Sequence, residues 1–386
     1  MKKNVDFILT FILIINLISC SDKSVSDNIE VKDIVCIDIN KAKEKNIEEV
    51  LEYDSYIHLE TSDDVCIGII TNLLFLDDFI IVADKIISKS AFIFDLNGQF
   101  RTQIGRVGQG PGEYSDLTHV TLSKDGNEIV IVDAMKNELL FYDKNAKHIR
   151  SEKLTYRGEN MEYMEEYLVY ANTSGVYEGY KSNIQNTLVV SNSNNQIKYS
   201  NFPTNIDTWF NFVTHADHLK KDGKNIYYNP NLSDTIYQIF PNKIKALYAI
   251  LGDKKPKITE SIKNSDYIDF ANTHTFFNGE FVFIENICAF GVFPNGSLPI
   301  IYDNTTKSTY RLTKSEPSNT AIDLFKKGYI MTKYKNYIVV DIDPNTIIDY
   351  YHDNKDSCQN NKILMDLILA ARKDDNPILL LYKIKQ

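Results

Sequence analysis

Three histidines stand far apart in the chain, His119, His215 and His274. Imidazole is a common ligand of zinc and other transition metals. Three converging rings with an open fourth position make a catalytic metal site. Such a site would serve a metal-dependent lyase or a lactonase-like enzyme. Each histidine falls in a β-rich stretch, so only one face of its strand can address a shared ion. The bland alternative for each is a solvated or hydrogen-bonded side chain. The local pair His215 and His218 adds nothing, because residues three apart on a strand point to opposite faces. Asp84 and Asp133 end two similar strands. They either accept backbone N–H groups in a turn or offer oxygen to Ca²⁺.

The stretch "GRVGQGPGEY", Gly105 to Tyr114, holds four glycines and a proline in ten residues. It suits neither a helix interior nor a regular strand. Arg106, Glu113 and Tyr114 are its candidate binding groups. Arg106 and Glu113 either line a ligand mouth or pair with each other and with backbone to hold the loop. Trp209, the only tryptophan, lies in "DTWFNF" and either stacks on a sugar ring or packs between structural units. The chain contains no G-x-S-x-G, no phosphate-binding loop after a strand and no H-E-x-x-H.

The two ends say where these groups operate. Lys2 and Lys3 precede the apolar run Phe7 to Ile18, which is shorter than the ~20 residues needed to span a bilayer. The run stops at "LISC", Leu17 to Cys20, which resembles a bacterial lipobox. That resemblance implies a signal peptide over 1–19 and a lipid on the Cys20 thiol, and with them a membrane-anchored location in the cell envelope. Residues 20–33 are polar and read as a flexible tether. The net charge of −10 becomes about −11 after cleavage, a balance that argues against nucleic acid as a partner. Cys36, Cys66, Cys288 and Cys358 lack C-x-x-C spacing; outside the cytoplasm they allow two disulfides in three connectivities, and the favoured reading is free, buried thiols.

The elements that must position the candidate groups form a repeat. Residues 75–105 and 122–154 each run turn, strand, loop, strand, tight turn, strand. Their strand-ending aspartates recur at about 48 residues (Asp84 and Asp133, Asp95 and Asp143). That period and strand content describe blades of a β-propeller, an all-β fold. Residues 34–386 accommodate six blades. Asn97-Gly98, Asp125-Gly126, Asp222-Gly223 and Asn278-Gly279 read as hairpin turns needing positive φ. His119, His215 and His274 then fall on the channel-lining inner strands of blades two, four and five. One helix, within "NKILMDLILAARK", is inserted in blade six. The ring closes when Tyr56–Glu60, or alternatively Ile34–Ile39, pairs with "ILLLYKI".

With the "LET" and "IG" pairs at Leu59–Thr61 and Ile67–Gly68, the Gly105–Tyr114 crossing and the "NPILLLYK" ending, the chain resembles the six-bladed β-propeller lipoproteins of Gram-negative anaerobes, with NHL-like repeats. That family implies no settled activity, so no catalytic residue is carried over. The reading is an envelope lipoprotein acting as a binding or scaffold module without a cofactor. Its partner is a glycan, a peptide or an envelope protein on the crossing-loop face. The alternative is an enzyme that uses the channel.

Overall fold

The structure is a computed structural model that describes residues 28–172, 176–178, 182–203, 218–231, 233–253, 269–270, 272–293, 299–313, 323–358 and 362–385. The strands pair into six antiparallel blades around an axis. The inner strands are Asn72–Phe75, His119–Leu122, Asn160–Met164, Leu219–Asp222, Phe276–Ile284 and Tyr329–Tyr334, for blades one to six in turn. The β-branched and aromatic runs "FIIVAD", "IVIVD" and "ELLFY" are buried almost throughout, because each blade packs on a neighbour on both faces. Six apolar clusters fill the spaces between adjacent blades.

The repeating aspartates have a structural task. Asp84 is fully buried and its carboxylate accepts the backbone N–H groups of Gly68, Ile69, Ile86, Ile87 and Ser88. Burial opposes its ionisation, but the N–H groups of Ile87, Ser88, Gly68 and Ile69 outweigh this and hold the pKa below its usual value. Asp133 does the same for Ser115, Met135 and Lys136. Each ties the segment entering a blade to the turn after its second strand. Asp84→Ala would leave five part-buried backbone N–H groups without their acceptor, each costing up to about 1 kcal/mol. A fall in melting temperature of several degrees is expected, and an unchanged melt would deny the aspartate this role.

The ring closes through the N-terminal segment. Strand Leu51–His58 pairs antiparallel with Ile378–Ile384 and completes blade six, so the closing strand starts earlier than Tyr56. The alternative closer lies elsewhere. Val35–Asp38 runs parallel to Ile244–Leu251, the outer strand of blade four. Lys43–Asn46 runs parallel to Ser308–Thr313, the outer strand of blade five. Residues 29–58 therefore gird three successive blades and cover two otherwise open edges. The tether expected over 20–33 also needs correction, since Ile29 and Glu30 already pair with Ile244 and Lys245.

Asn376 locks the closure. Its side chain accepts from Ile67 N–H and donates to the carbonyls of Glu60 and Val65, while its own N–H bonds Thr61. This joins the "LET" and "IG" motif to the "NPILLLYK" motif.

The helix expected in blade six is Lys362–Ala370, with Leu364 and Leu367 fully buried. It is not alone. Pro344–Asp353 is a second helix, with Asp343 as N-cap and Pro344 in the first turn. A single turn, Lys355–Cys358, separates the two. All four described cysteines are free, but Cys36 and Cys66 are exposed rather than buried.

Candidate functional site

The crossing loop is held by its own residues. Arg106 Nε lies 2.6 Å from Glu113 Oε1, and Gly110 N–H donates to Glu113 Oε2 at 2.8 Å. These bonds, led by that from Gly110, hold the Glu113 carboxyl below its usual range. A Cβ on Gly108 would stand 2.0 Å from Glu113 Oε2, so this glycine leaves the space the carboxylate fills. Gly112 has φ +73° and packs on His148. Lys136 Nζ donates to the carbonyls of Gly108 and Glu113. Tyr114 is fully buried between blades one and two, with its hydroxyl on the Lys89 carbonyl at 3.2 Å. The expectation that Tyr114 lines a ligand mouth is therefore corrected: it is a core residue. Residues 105–117 are absent from the walls of the two axial cavities described below.

The histidines do not assemble as expected. His119 does open the inner strand of blade two, and it is buried. Its Nε2 stands 3.4 Å from Glu162 Oε1 on the inner strand of blade three, and Thr121 Oγ1 donates to Glu162 Oε2 at 2.7 Å. His274 is corrected: it precedes the inner strand of blade five at the end of a short helical segment. There its ring stacks on Phe270 at 3.8 Å between centroids, and its Nδ1 lies 3.1 Å from the Phe270 carbonyl. His215 and Trp209 lie outside the described residues. Cys20 does too. Among the described residues no three His, Cys, Asp or Glu side chains come together as metal ligands.

The axis carries a different set of groups. A cavity of about 400 Å³ opens where the inner strands begin, and its walls come from blades one, three, four, five and six. A second cavity of about 330 Å³ lies where those strands end and shares Leu73, Leu74, Glu162, Lys220, Lys221 and Thr332 with the first. The first cavity is lined by Glu280 and Asp341, both at least nine-tenths buried.

Glu280 is placed there by an irregularity of blade five. Phe277 pairs with Val292 and Phe281 with Phe290, so two extra residues bulge from the inner strand. Gly279 takes φ +95° within this bulge. Asn278 Oδ1 accepts the Glu280 N–H at 2.9 Å. A Cβ on Gly291 would stand 2.4 Å from the Asn278 amide, so the bulge requires glycine on the facing strand as well. Asn278-Gly279 is thus not the hairpin turn its composition suggests. The positive φ is present, inside a strand.

The two carboxyls share unusual chemistry. Burial pushes Glu280 up to about 7, against the pull of Lys220 and of its bond to Asn278. Burial, then the charge of Glu280, pushes Asp341 up to about 7. Glu280 Oε2 and Asp341 Oδ1 are buried without a hydrogen-bond partner. The hydroxyl of Tyr329 is raised by burial and then by the charges of these two groups. Lys220 donates to the Phe281 carbonyl at 3.2 Å, and Lys221 Nζ is 4.0 Å from Glu162 Oε2. The cavity wall thus carries two buried carboxyls, each with one oxygen lacking a donor, and lysines on the adjoining blade.

A closed propeller with a charged axial cavity defines a class of scaffold that hosts binders and enzymes alike. The ring, its N-terminal girdle and the helical insertion are features of the whole chain rather than of one repeat. The chain belongs to the family described as Domain of unknown function (DUF4934), whose model matches residues 29–383. It is similar in fold to a crystal structure from Bacteroides fragilis of a protein described as exported, at 20% identity, covering 92% of this chain and 100% of that one, with a TM-score of 0.71. A DUF4221 family member from Bacteroides vulgatus aligns at 11% identity over 87% of this chain and 98% of that one, with a TM-score of 0.51. No curated protein matches the chain.

Proposed function

We propose that the protein is an exported lipoprotein, anchored through Cys20, whose propeller is a binding module that takes a small polar ligand in its axial cavity. The observation that carries this reading is that the buried side chains of Glu280 and Asp341, each with one unpartnered carboxyl oxygen, line a cavity of about 400 Å³. Leaving such acceptors unmade costs roughly 1–3 kcal/mol each, which a donor-bearing ligand recovers. The crossing loop supports a structural role instead, since both oxygens of Glu113 are taken up within the loop, by Arg106 Nε and the Gly110 N–H, and Tyr114 is core. The metal-dependent enzyme is not carried forward, because His274 stands outside the inner strand.

Export is supported by the basic start, the short apolar run and the "LISC" terminus, together with the exported description of the Bacteroides fragilis protein of similar fold. Replacing Cys20 by Ala is expected to move the protein out of the membrane pellet on cell fractionation. An unchanged pellet would remove the lipid anchor from the account.

The binding site is tested by thermal shift with a panel of amino acids, alkylamines, monosaccharides and nucleosides. At least one class is expected to raise the melting temperature of wild type and of Arg106→Ala equally. Thr332→Trp, placed where the two cavities meet, should abolish that response. A response lost in Arg106→Ala and kept in Thr332→Trp would return the site to the crossing loop.

A further inference from the structure

We infer that Glu280 and Asp341 together form the seat of a protonated organic amine, with the apolar part of the ligand directed along the cavity lined by Leu219, Ile342 and Pro377. The inference rests on the reading of the axial cavity as a binding site and names the chemistry of what it takes.

Four observations converge on an ammonium group. First, Glu280 Oε2 and Asp341 Oδ1 are acceptors with no donor, and both side chains are at least nine-tenths buried. An ammonium carries three donors and no acceptor, the complement of two carboxyls short of donors. Second, both carboxyls line the same cavity, and the charge of Glu280 opposes ionisation of Asp341. A neutral hydroxyl would leave that repulsion in place, whereas a cation removes it and gains charge-assisted hydrogen bonds. Third, among the described residues no third His, Cys, Asp or Glu joins them in a metal-binding group, so the pair suits a directional organic donor better than a bare ion. Fourth, the bulge at Asn278–Glu280 and the facing Gly291 fix the Glu280 backbone. That is the rigidity expected of a preorganised contact rather than of a side chain left in the core by chance.

The remaining charged groups of the cavity narrow the ligand further. Lys220 and Lys221 enter from blade four, Lys327 and Asp343 from blade six, and Glu162 from blade three. The lysines disfavour a ligand with several positive charges. They accommodate one whose ammonium is accompanied by a carboxylate, as in a free amino acid or the two ends of a very short peptide. Because the empty pair holds protons near neutral pH, seating an ammonium between the carboxyls ionises them and releases protons to solvent.

The test is titration calorimetry on the folded protein at pH 7. The probes are n-butylammonium, its neutral counterpart n-butanol, L-leucine, and glucose, in two buffers of different ionisation enthalpy. Expected are saturable binding of n-butylammonium and of L-leucine, and n-butanol weaker by about tenfold or more. Proton release of up to about one per ligand should appear as buffer-dependent heat. Glu280→Gln and Asp341→Asn should each weaken n-butylammonium by about tenfold, and together they should abolish the buffer dependence. As a check independent of substitution, n-butylammonium should bind wild type more tightly at pH 8 than at pH 6, since its own charge does not change over that range.

Equal affinity for n-butanol and n-butylammonium would overturn the inference, as would binding indifferent to both substitutions. If glucose binds in the cavity and neither amine does, the ammonium seat fails while the axial binding site stands. If no probe binds and Thr332→Trp alters no response in the thermal-shift panel, the binding site itself fails.

Discussion

Removing residues 377–386 is expected to abolish cooperative folding. Ile378–Ile384 is an interior strand, paired on one side with Tyr337–Ile342 and on the other with Leu51–His58. Ile378, Leu379, Leu380 and Tyr382 are fully buried and Leu381 nearly so. They reach into two inter-blade clusters, on either side of blade six. At roughly 1.5–3 kcal/mol for each buried large side chain, their loss is of order 10 kcal/mol. That equals the whole stability of an ordinary domain, about 5–15 kcal/mol. Truncation also frees Leu51–His58 from its partner and takes away Asn376's neighbour Pro377. The expected product is insoluble or lacks a sharp melting transition. A soluble truncated chain with a cooperative melt would show that the ring does not depend on this strand.

The second large effect is a pH dependence of stability. Glu280 and Asp341 rise from ordinary values of 4.5 and 3.8 to about 7 on folding. The folded chain therefore holds protons that the unfolded chain has already lost, so stability falls as pH rises through the window from about 4 to about 7. Their favourable contribution is fully present below about pH 4 and is gone above about pH 7. The double variant Glu280→Gln, Asp341→Asn removes this dependence. A tenfold change in acidity corresponds to about 1.4 kcal/mol, so the variant should exceed wild type by several kcal/mol at pH 8, with the gap shrinking steadily towards pH 4. Asp84 works in the opposite sense, since its pKa is lowered on folding. It costs stability only in more acidic solution, and it is common to both proteins, so it cancels in the difference. Denaturant unfolding of the pair at several pH values reads the gap directly. A gap independent of pH, or one that widens on acidification, would contradict the account of these carboxyls.

Much of the fold was legible because its determinants are local and repeated. The tight turns after Asp95 and Asp143 look alike because each aspartate accepts two backbone N–H groups of its own turn. Asp84 and Asp133 recur for the same kind of reason. Six blades follow from counting such signals. The helix at Lys362–Ala370 showed through its apolar face. Its companion at Pro344–Asp353 carried a start signal too, an N-cap aspartate followed by proline, which sequence reasoning passed over. The girdle over residues 29–58 was hidden, because parallel pairing to blades four and five is set by distant strands rather than by any local pattern.

The site was far less legible. Glycine content drew attention to Gly105–Tyr114, yet its glycines serve backbone geometry, and Tyr114 is a buried prop. The decisive glycine pair was Gly279 and Gly291. Asn278-Gly279 resembles a hairpin turn in sequence, and only the pairing of Phe277 and Phe281 with the next strand reveals a bulge. Glu280 and Asp341 did carry a signal, a single acidic residue within an apolar strand in "GEFVFI" and "YIVVDI". Such a residue is either turned to solvent or buried for a purpose. Periodicity cannot tell these apart, since the choice depends on what the neighbouring blade presents.

The central claim is that the axial cavity, through Glu280 and Asp341, holds a small molecule. Native mass spectrometry of the full-length protein, released gently from its own membranes, tests this most directly when wild type is compared with the Glu280→Gln, Asp341→Asn variant. The account predicts a bound small molecule of defined mass, carrying an amine, on wild type and none on the variant, with Arg106→Ala behaving as wild type. The same adduct on wild type and on the double variant, or none on either, would contradict it.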